Sequence, residues 1–182
     1  MGEGETHMRN EVIHVSVVMG SDSDLPVMQE AIRTLDGFDI PHEIVLASAH
    51  RSPERTSSFA KGAMARGIKV IIVGAGAAAH LAGVIASQTL LPVIGIPIDN
   101  SPLGGFDALL SIVQMPAGIP VATMAIGKAG ARNAALMAVR ILSLEDDGLR
   151  EKLNAYIQNM AREIERKQED LTNKTIRNIS KS

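Results

Sequence analysis

The sequence predicts an α/β fold with three layers, in which helices cover both faces of a parallel sheet of about five strands. Five short apolar runs, mostly β-branched, have the composition of strands buried on both faces. These runs are residues 12–19, 43–47, 70–73, 93–96 and 121–126. Segments with helical periodicity alternate with them, at 25–35, 53–66, 78–90, 106–114 and 131–143. Because five strands follow one another in a small domain, we expect the flavodoxin-like strand order.

Length and composition bound the domain count and the class of partner. The 182 residues suit one domain, at 11–145, followed by an extension at 146–182. A net charge of −2 argues against a broad nucleic-acid interface, and the absence of cysteine excludes disulfides, thiolate metal sites and a cysteine nucleophile. No apolar run approaches the roughly 18 residues of a membrane span. The first ten residues lack the apolar core of a signal peptide. We therefore expect a soluble, cytoplasmic protein with no membrane partner.

The extension has the pattern of an amphipathic helix. Its apolar residues recur at spacings of three and four, with charged residues between them. They are Leu149, Leu153, Ile157, Met160 and Ile164. Such a stripe needs a surface to cover it, on its own domain or on another subunit, and we expect packing on a neighbouring subunit.

The turn at residues 20–24 follows the first predicted strand and precedes a helix. Its glycine, its hydroxyls at Ser21 and Ser23 and the helix N-terminus suit a bound anion. A simple helix cap by Ser23 or Asp24 is the competing interpretation. Since a carboxylate repels phosphate, Asp24 is the candidate for contacting sugar hydroxyls.

Residues 48–53 join the second strand to its helix and place a histidine beside an arginine. Ser52 is the predicted N-cap and Pro53 the first helical residue. Histidine exchanges a proton near neutral pH, which makes His50 a candidate acid and base. Arg51 is suited to a bidentate grip on phosphate or carboxylate.

The loop at residues 74–80 follows the third strand and has the spacing G-x-G-x-x-A, as in a dinucleotide-binding turn. That interpretation fails, because the motif belongs in the first strand–helix unit, where residues 20–24 stand instead. The small residues more simply allow a flat ligand to approach the backbone. His80 either contacts that ligand or packs beneath it.

These segments, in this order, resemble the N5-carboxyaminoimidazole ribonucleotide mutase family, the small PurE proteins of purine biosynthesis. The matching stretches are MGSDSD at 19–24, SAHRSPER at 48–55, GAGAAAHLAG at 74–83 and LLSIVQMPAGIPVAT at 109–123. They span most of residues 13–145. The resemblance implies an octamer with active sites shared between subunits, and a reaction without metal, biotin or ATP.

The resemblance also implies roles for the matching residues. Ser21, Ser23, Ser48 and Arg51 would hold the substrate phosphate, Asp24 the ribose, and His50 would carry the proton. The pocket for the imidazole and carboxylate would be lined from residues 74–81, and the substrate-binding candidates there and nearby are Ala49, Gly76, Ala77, His80 and Leu81.

The chain departs from the family pattern at a few positions. Ala77 stands where a second glycine is usual, Ala82 where proline is usual, and Asp99-Asn100 where Gln-Ser is more typical. A methyl group at position 77 would crowd the pocket if the backbone there has a positive φ. Arg51 and His80 favour the mutase branch over the related branch that carboxylates aminoimidazole ribonucleotide directly with carbon dioxide. A non-catalytic flavodoxin-like nucleotide-binding module is the remaining alternative.

Overall fold

The computed structural model describes residues 13–179, so the predicted start of the first strand at Val12 lies outside the described residues. The strands of this part of the chain are β1 (Val15–Met19), β2 (His42–Leu46), β3 (Val70–Gly76), β4 (Val93–Ile98) and β5 (Ala122–Thr123). Its α-helices are α1 (Leu25–Gly37), α2 (Pro53–Gly62), α3 (Leu81–Ala86), α4 (Phe106–Val113), α5 (Gly127–Leu142) and α6 (Asp147–Ile179). The strands form one parallel sheet in the order β2-β1-β3-β4-β5. The predicted flavodoxin-like sheet is confirmed.

The core is aliphatic, as expected for a sequence so poor in aromatic residues. Every residue of β1 and of β4 is buried. The largest fully buried side chains are all Met, Leu, Ile or Val; among them are Met28, Leu35, Ile71, Ile94 and Ile112. Each such side chain contributes about 1.5–3 kcal/mol by leaving water. This core holds the carboxyl ends of the strands in fixed positions.

The edge strand β2 differs from the prediction of burial on both faces. Ile44 and Leu46 are 55% and 50% exposed, because β2 pairs only with β1. Glu43 accepts hydrogen bonds from the buried Ser16 hydroxyl at 2.6 Å and from Arg66 at 2.8 Å. Burial raises the pKa of Glu43, but these two bonds outweigh burial and hold that pKa below its ordinary value. The charged Arg66 therefore holds Glu43 in place on this edge strand.

Several predicted boundaries are wrong, and local backbone geometry explains them. The helix predicted over 53–66 ends at Gly62 and is followed by a short 3-10 turn that stops at Gly67, where φ is +90°. The helix predicted over 78–90 is only Leu81–Ala86, because residues 77–80 are held in tight turns. The strand predicted over 121–126 is reduced to Ala122–Thr123, and α5 begins early, at Gly127.

The chain divides into two compact units between Ala138 and Val139. The first contains the sheet and the loops at its carboxyl edge. The second contains the end of α5 and the long helix α6, which confirms the predicted C-terminal helix. The predicted apolar stripe of α6 is buried at Leu149 and Leu153 and exposed farther along the helix, where Ile157, Met160 and Ile164 are 39%, 44% and 65% exposed. Among residues 13–179, no helix is both long enough and apolar enough to cross a membrane.

Candidate active site

Four loops that follow β1, β2, β3 and β4 surround a cavity of about 260 Å³. Because all strands are parallel, these loops leave the same edge of the sheet, where α/β folds bind ligands. The cavity is lined by Gly20, Ser21, Asp24, Ser48, Ala49, His50, Arg51, Ala75, Gly76, Ala78, Leu81 and Asn100. Segments separated by up to 80 residues in the sequence therefore meet at one place.

The turn after β1 is closed by its own side chains. Ser21 caps the 3-10 turn Asp22–Asp24: its hydroxyl accepts a bond from the Ser23 amide at 3.4 Å, and Asp24 accepts one from the Ser21 amide at 3.2 Å. The Ser23 hydroxyl donates to that of Ser21 at 2.8 Å. Asp24 occupies the N-cap position of α1, as one of the two predicted caps, but its side chain makes no capping bond to that helix. The reciprocal capping within residues 21–24 turns Asp24 inward.

Asp24 is buried, with 2% of its surface exposed. Its Oδ1 accepts a bond from the Asn100 side chain at 3.0 Å, and its Oδ2 accepts the Ser21 amide. Burial raises the pKa of the Asp24 carboxyl; the backbone amides of Ser21 and Gly20 and the nearby charge of Arg51 oppose that rise without cancelling it. A buried carboxyl beside an open cavity is equipped to accept hydrogen bonds from a ligand.

The loop after β2 is a tight turn closed by two serines. The Ser52 hydroxyl accepts a bond from the Ser48 amide at 2.9 Å and donates to the Ser48 carbonyl at 3.2 Å. Ser52 occupies the N-cap position of α2 as predicted, but its side chain makes no capping bond, because its hydroxyl closes this turn instead. The Arg51 amide donates to the Ser48 hydroxyl at 3.2 Å. The turn thereby holds residues 49–51 at the cavity.

Arg51 joins the first two loops, since its guanidinium donates to the Gly20 carbonyl at 2.7 Å. The basic side chain therefore lies beside the hydroxyls of Ser21 and Ser48 in the cavity wall. Positive charge, hydroxyls and the backbone of a tight turn are the groups that bind phosphate.

His50 is paired with His80 across two loops. The Nε2 of His50 lies 2.8 Å from the Nδ1 of His80, and the two rings meet edge to face with centroids 5.0 Å apart. One nitrogen must donate and the other accept, so the pair shares a proton between the rings. Both side chains are exposed. His80 therefore contacts the site through His50 and does not line the cavity itself.

The loop after β3 is built from small residues for two physical reasons. A Cβ at Gly76 would lie 1.9 Å from the Oδ1 of Asn100, so a side chain there would displace Asn100. Ala77 has φ +50°, a left-handed conformation that disfavours any residue with a Cβ. The next two turns are closed by bonds from Ala79 to the Ala77 carbonyl and from His80 to the Ala78 carbonyl, both at 2.9 Å. The methyl group of Ala77 is thus held in a strained loop.

The structure brings most of the sequence-predicted residues to one cavity. Ser21 lines the cavity, and Ser23 bonds to Ser21 without lining it. Ala77 does not line the cavity either, but its backbone shapes a loop that does. Four lining residues were not named individually as candidates from the sequence: Gly20, Ala75, Ala78 and Asn100. The first three belong to predicted loops. Asn100 had one available signal, its departure from the family pattern.

A second cavity, of about 500 Å³, adjoins the first and shares Gly20, Ser21, Ser48 and Arg51 with it. Arg55 also lines this space, and its Nε donates to the Leu46 carbonyl at 2.8 Å. Pockets for small-molecule ligands measure roughly 300–1,000 Å³. The two cavities together are therefore large enough for such a ligand, and the hydroxyls and guanidinium that they share suit an anionic group.

Comparison with known proteins identifies relatives over most of this chain. The model of the family described as AIR carboxylase matches residues 14–163. A Pyrococcus horikoshii protein named N5-carboxyaminoimidazole ribonucleotide mutase is 58% identical over 160 residues, which are 88% of this chain and 89% of that protein. A Haemophilus influenzae protein of the same name is 51% identical over 150 residues, 82% of this chain and 92% of that protein. The crystal structure of Treponema denticola PurE superposes with a TM-score of 0.77 at 30% identity, covering 86% of this chain and 97% of that one.

Proposed function

The chain belongs to the AIR carboxylase family, and we propose that it is an N5-carboxyaminoimidazole ribonucleotide mutase of purine biosynthesis. The reaction moves a carboxyl group from the exocyclic nitrogen of an aminoimidazole ribonucleotide to ring carbon 4. The observation that carries this proposal is the meeting of His50, Arg51 and the hydroxyl-rich turn after β1 on one cavity. The names of relatives at 51–58% identity support the same activity.

The substrate phosphate binds where the two cavities join. Ser21, Ser48 and Arg51 line both spaces, and the Ser23 hydroxyl bonds to that of Ser21. These groups supply hydroxyl donors and a guanidinium, which bind a phosphate by charge-assisted hydrogen bonds. Arg55 adds a second guanidinium on the wall of the larger cavity. With the phosphate at this junction, the ring of the substrate extends into the smaller cavity.

The ribose lies against Asp24. A carboxylate accepts hydrogen bonds from sugar hydroxyls, and its buried position beside the cavity favours a fixed geometry. Ala49, Gly76 and Leu81 line the rest of the smaller cavity and contact the imidazole. Because these side chains are small or apolar, they leave room for a flat ring and exclude water around it.

His50 carries one proton through the reaction. As an acid it gives that proton to the exocyclic nitrogen while the nitrogen–carbon bond breaks and carbon dioxide leaves. Ring carbon 4 then forms a bond to the carbon of the trapped carbon dioxide, and its hydrogen departs as a proton to His50. The proton given equals the proton regained, so the enzyme returns to its starting state without a cofactor.

His80 positions His50 for this work. The 2.8 Å bond between their rings fixes the orientation of the His50 imidazole and decides which of its nitrogens faces the substrate. When His50 releases its proton, the bond to His80 keeps the ring in place. We assign His80 as a positioning residue, since its ring reaches the cavity only through His50.

Carbon dioxide is retained by the small-residue loop after β3. Ala75, Gly76 and Ala78 line the cavity next to His50. Confining carbon dioxide beside ring carbon 4 raises its effective concentration there, so recapture is faster than escape. Ala77 shapes this wall through its left-handed backbone.

We also propose that the chain assembles into an octamer with sites completed by neighbouring subunits. His50, Arg51 and His80 are exposed in the single subunit, which is consistent with a further wall supplied from outside. On α4, the apolar side chains Phe106, Leu110 and Val113 are 58%, 43% and 49% exposed.

We expect the extension 146–182 to pack on a neighbour. If light scattering of the truncated protein gives the same number of subunits as the full chain, this role of the extension is refuted. The proposed pathway role implies a cytoplasmic location.

One assay separates this function from direct carboxylation, the activity in the family's name. Purified protein is offered the N-carboxylated substrate without bicarbonate and, separately, aminoimidazole ribonucleotide with bicarbonate. The mutase proposal predicts fast formation of the 4-carboxylated product from the first substrate only. Fast turnover of the second substrate alone would reassign the enzyme as a carboxylase. No turnover of either, with the ribonucleotide still bound, would favour a non-catalytic nucleotide-binding module.

A further inference from the structure

We propose that Asn100 is a positioning residue that fixes the Asp24 carboxylate to receive a hydroxyl of the ribose. The inference rests on the proposed function, because it takes the ligand to be a ribonucleotide. Asn100 lies two residues after the end of β4 and was not among the site residues predicted from the sequence. Its side chain lines the same cavity as Asp24.

The two oxygens of Asp24 are each held by a donor from a different part of the chain. Asn100 Nδ2 donates to Oδ1 at 3.0 Å, and the Ser21 amide donates to Oδ2 at 3.2 Å. Rotation of the carboxylate would break both bonds, so together they fix its plane. Each carboxylate oxygen can accept about two hydrogen bonds. The Gly20 amide also donates to this carboxylate, so one of its roughly four acceptor positions remains, and it matches a sugar hydroxyl.

The position of Asn100 is itself fixed by close packing on the loop after β3. Its Oδ1 occupies the space that a Cβ at Gly76 would need, at 1.9 Å. Asn100 can therefore hold this position only because residue 76 has no side chain. A methyl group at position 76 would push the amide away from Asp24. By fixing Asn100, Gly76 in the wall around the imidazole also fixes the orientation of Asp24, which binds the ribose.

The length of the Asn100 side chain makes this arrangement possible. Its amide nitrogen bonds Asp24 across 76 positions in the sequence. The geometry points to Asn100 as a determinant of affinity for the ribose portion.

The test replaces Asn100 by leucine, which has a similar size and no donor, and measures KM and kcat with the N-carboxylated substrate. We expect KM to rise about tenfold and kcat to change less than about twofold, because a bond used in binding is lost while the proton carrier is intact. The exposed Asn133→Leu on α5 is the matched control, and its KM should equal that of the wild type. If Asn100→Leu folds poorly by circular dichroism, Asn100→Ala replaces it.

A double-mutant cycle with Asp24→Asn decides whether Asn100 acts through Asp24. In the Asp24→Asn background, Asn100→Leu should raise KM by less than about twofold further, since the carboxylate it orients is gone. An unchanged KM in the single variant, or a full tenfold increase in the Asp24→Asn background, would overturn the inference. A wild-type protein that turns over neither substrate would instead indicate failure of the proposed function, so the two failures are distinguishable.

Discussion

The cavity has a polar wall and an apolar wall, and they are held in place by different means. The polar wall comes from the turns after β1 and β2 and carries Asp24, His50 and Arg51. Its backbone is closed by several side-chain hydrogen bonds, including the reciprocal cap of Ser21 and the two bonds between Ser48 and Ser52. The apolar wall comes from the loop after β3 and is shaped by close packing at Gly76 and a strained backbone at Ala77.

Under the proposed function the two walls do different work. Groups held by hydrogen bonds are suited to binding charge and transferring a proton, because their orientation is fixed before the ligand arrives. Small apolar groups suit the proposed confinement of carbon dioxide, since they carry no group that reacts with it. We therefore expect substitutions in the polar wall to change kinetic constants, and substitutions at Ala77 to change stability first.

Replacing His50 by asparagine should have the largest effect. We expect kcat to fall about 10³-fold, because proton transfer by a positioned side chain contributes 10²–10⁴ in rate. Affinity for aminoimidazole ribonucleotide, measured by calorimetry, should stay within about threefold, since the phosphate and ribose contacts remain. His14→Asn, at a histidine outside the cavity, is the control. A His50→Asn enzyme with wild-type kcat would eliminate the proton-carrier role.

Replacing Arg51 by alanine should have the next largest effect, on KM. Loss of a charge-assisted bond to phosphate, worth about 1.5–3 kcal/mol, predicts a rise in KM of roughly 10–100-fold. Arg51→Lys should recover part of this affinity, because it restores the charge without the bidentate fork. Arg33→Ala, on the exposed surface of α1, should leave KM unchanged. An unaltered KM for Arg51→Ala would move the phosphate to another part of the cavity, with Arg55 as the next residue to test.

Asp24 should make stability depend on pH. Burial raises its pKa in the folded state, so the folded protein holds the proton more tightly than the unfolded chain does. The contribution of Asp24 to the free energy of unfolding therefore falls as pH rises from about 3.9, the ordinary carboxyl value, through the raised folded value. Asp24→Asn removes this dependence. Urea unfolding should show the variant gaining stability relative to wild type between pH 4 and pH 7, and a constant difference would contradict the assignment.

Ala77→Gly should produce the smallest of these effects, a gain in stability of about 1 kcal/mol. A residue with a Cβ at φ +50° is strained by roughly that amount, and glycine relieves the strain. Ala78→Gly is the matched control on the same loop. Because Ala78 has no positive φ, glycine there should destabilise the protein by several tenths of a kcal/mol. Equal effects of the two substitutions in urea unfolding would show that Ala77 is not strained.

The sequence predicts the strand order of the sheet correctly, but it identifies only part of the residues that line the cavity. His50 and Arg51 could be found because their chemistry is distinctive and their loop follows a strand. Asn100 could not, because its bond to Asp24 depends on the register that ends β4 beside Gly76 and on a side chain 76 positions away. Ser52 shows a different limit: its sequence position is that of a cap, but its hydroxyl binds the Ser48 amide instead of an amide of the helix. Similarly, the start of α3 depends on the left-handed backbone at Ala77, which periodicity does not encode.

The central claim is that the carboxyl group is transferred within one cavity, between His50 and the small-residue loop after β3. It is tested most directly by supplying substrate labelled with ¹³C in its carboxyl group, in the presence of excess unlabelled bicarbonate, and measuring the product by mass spectrometry. We predict that nearly all product molecules keep the label, because recapture of carbon dioxide is faster than its escape. Product carrying mainly unlabelled carbon would contradict retention of carbon dioxide in the cavity.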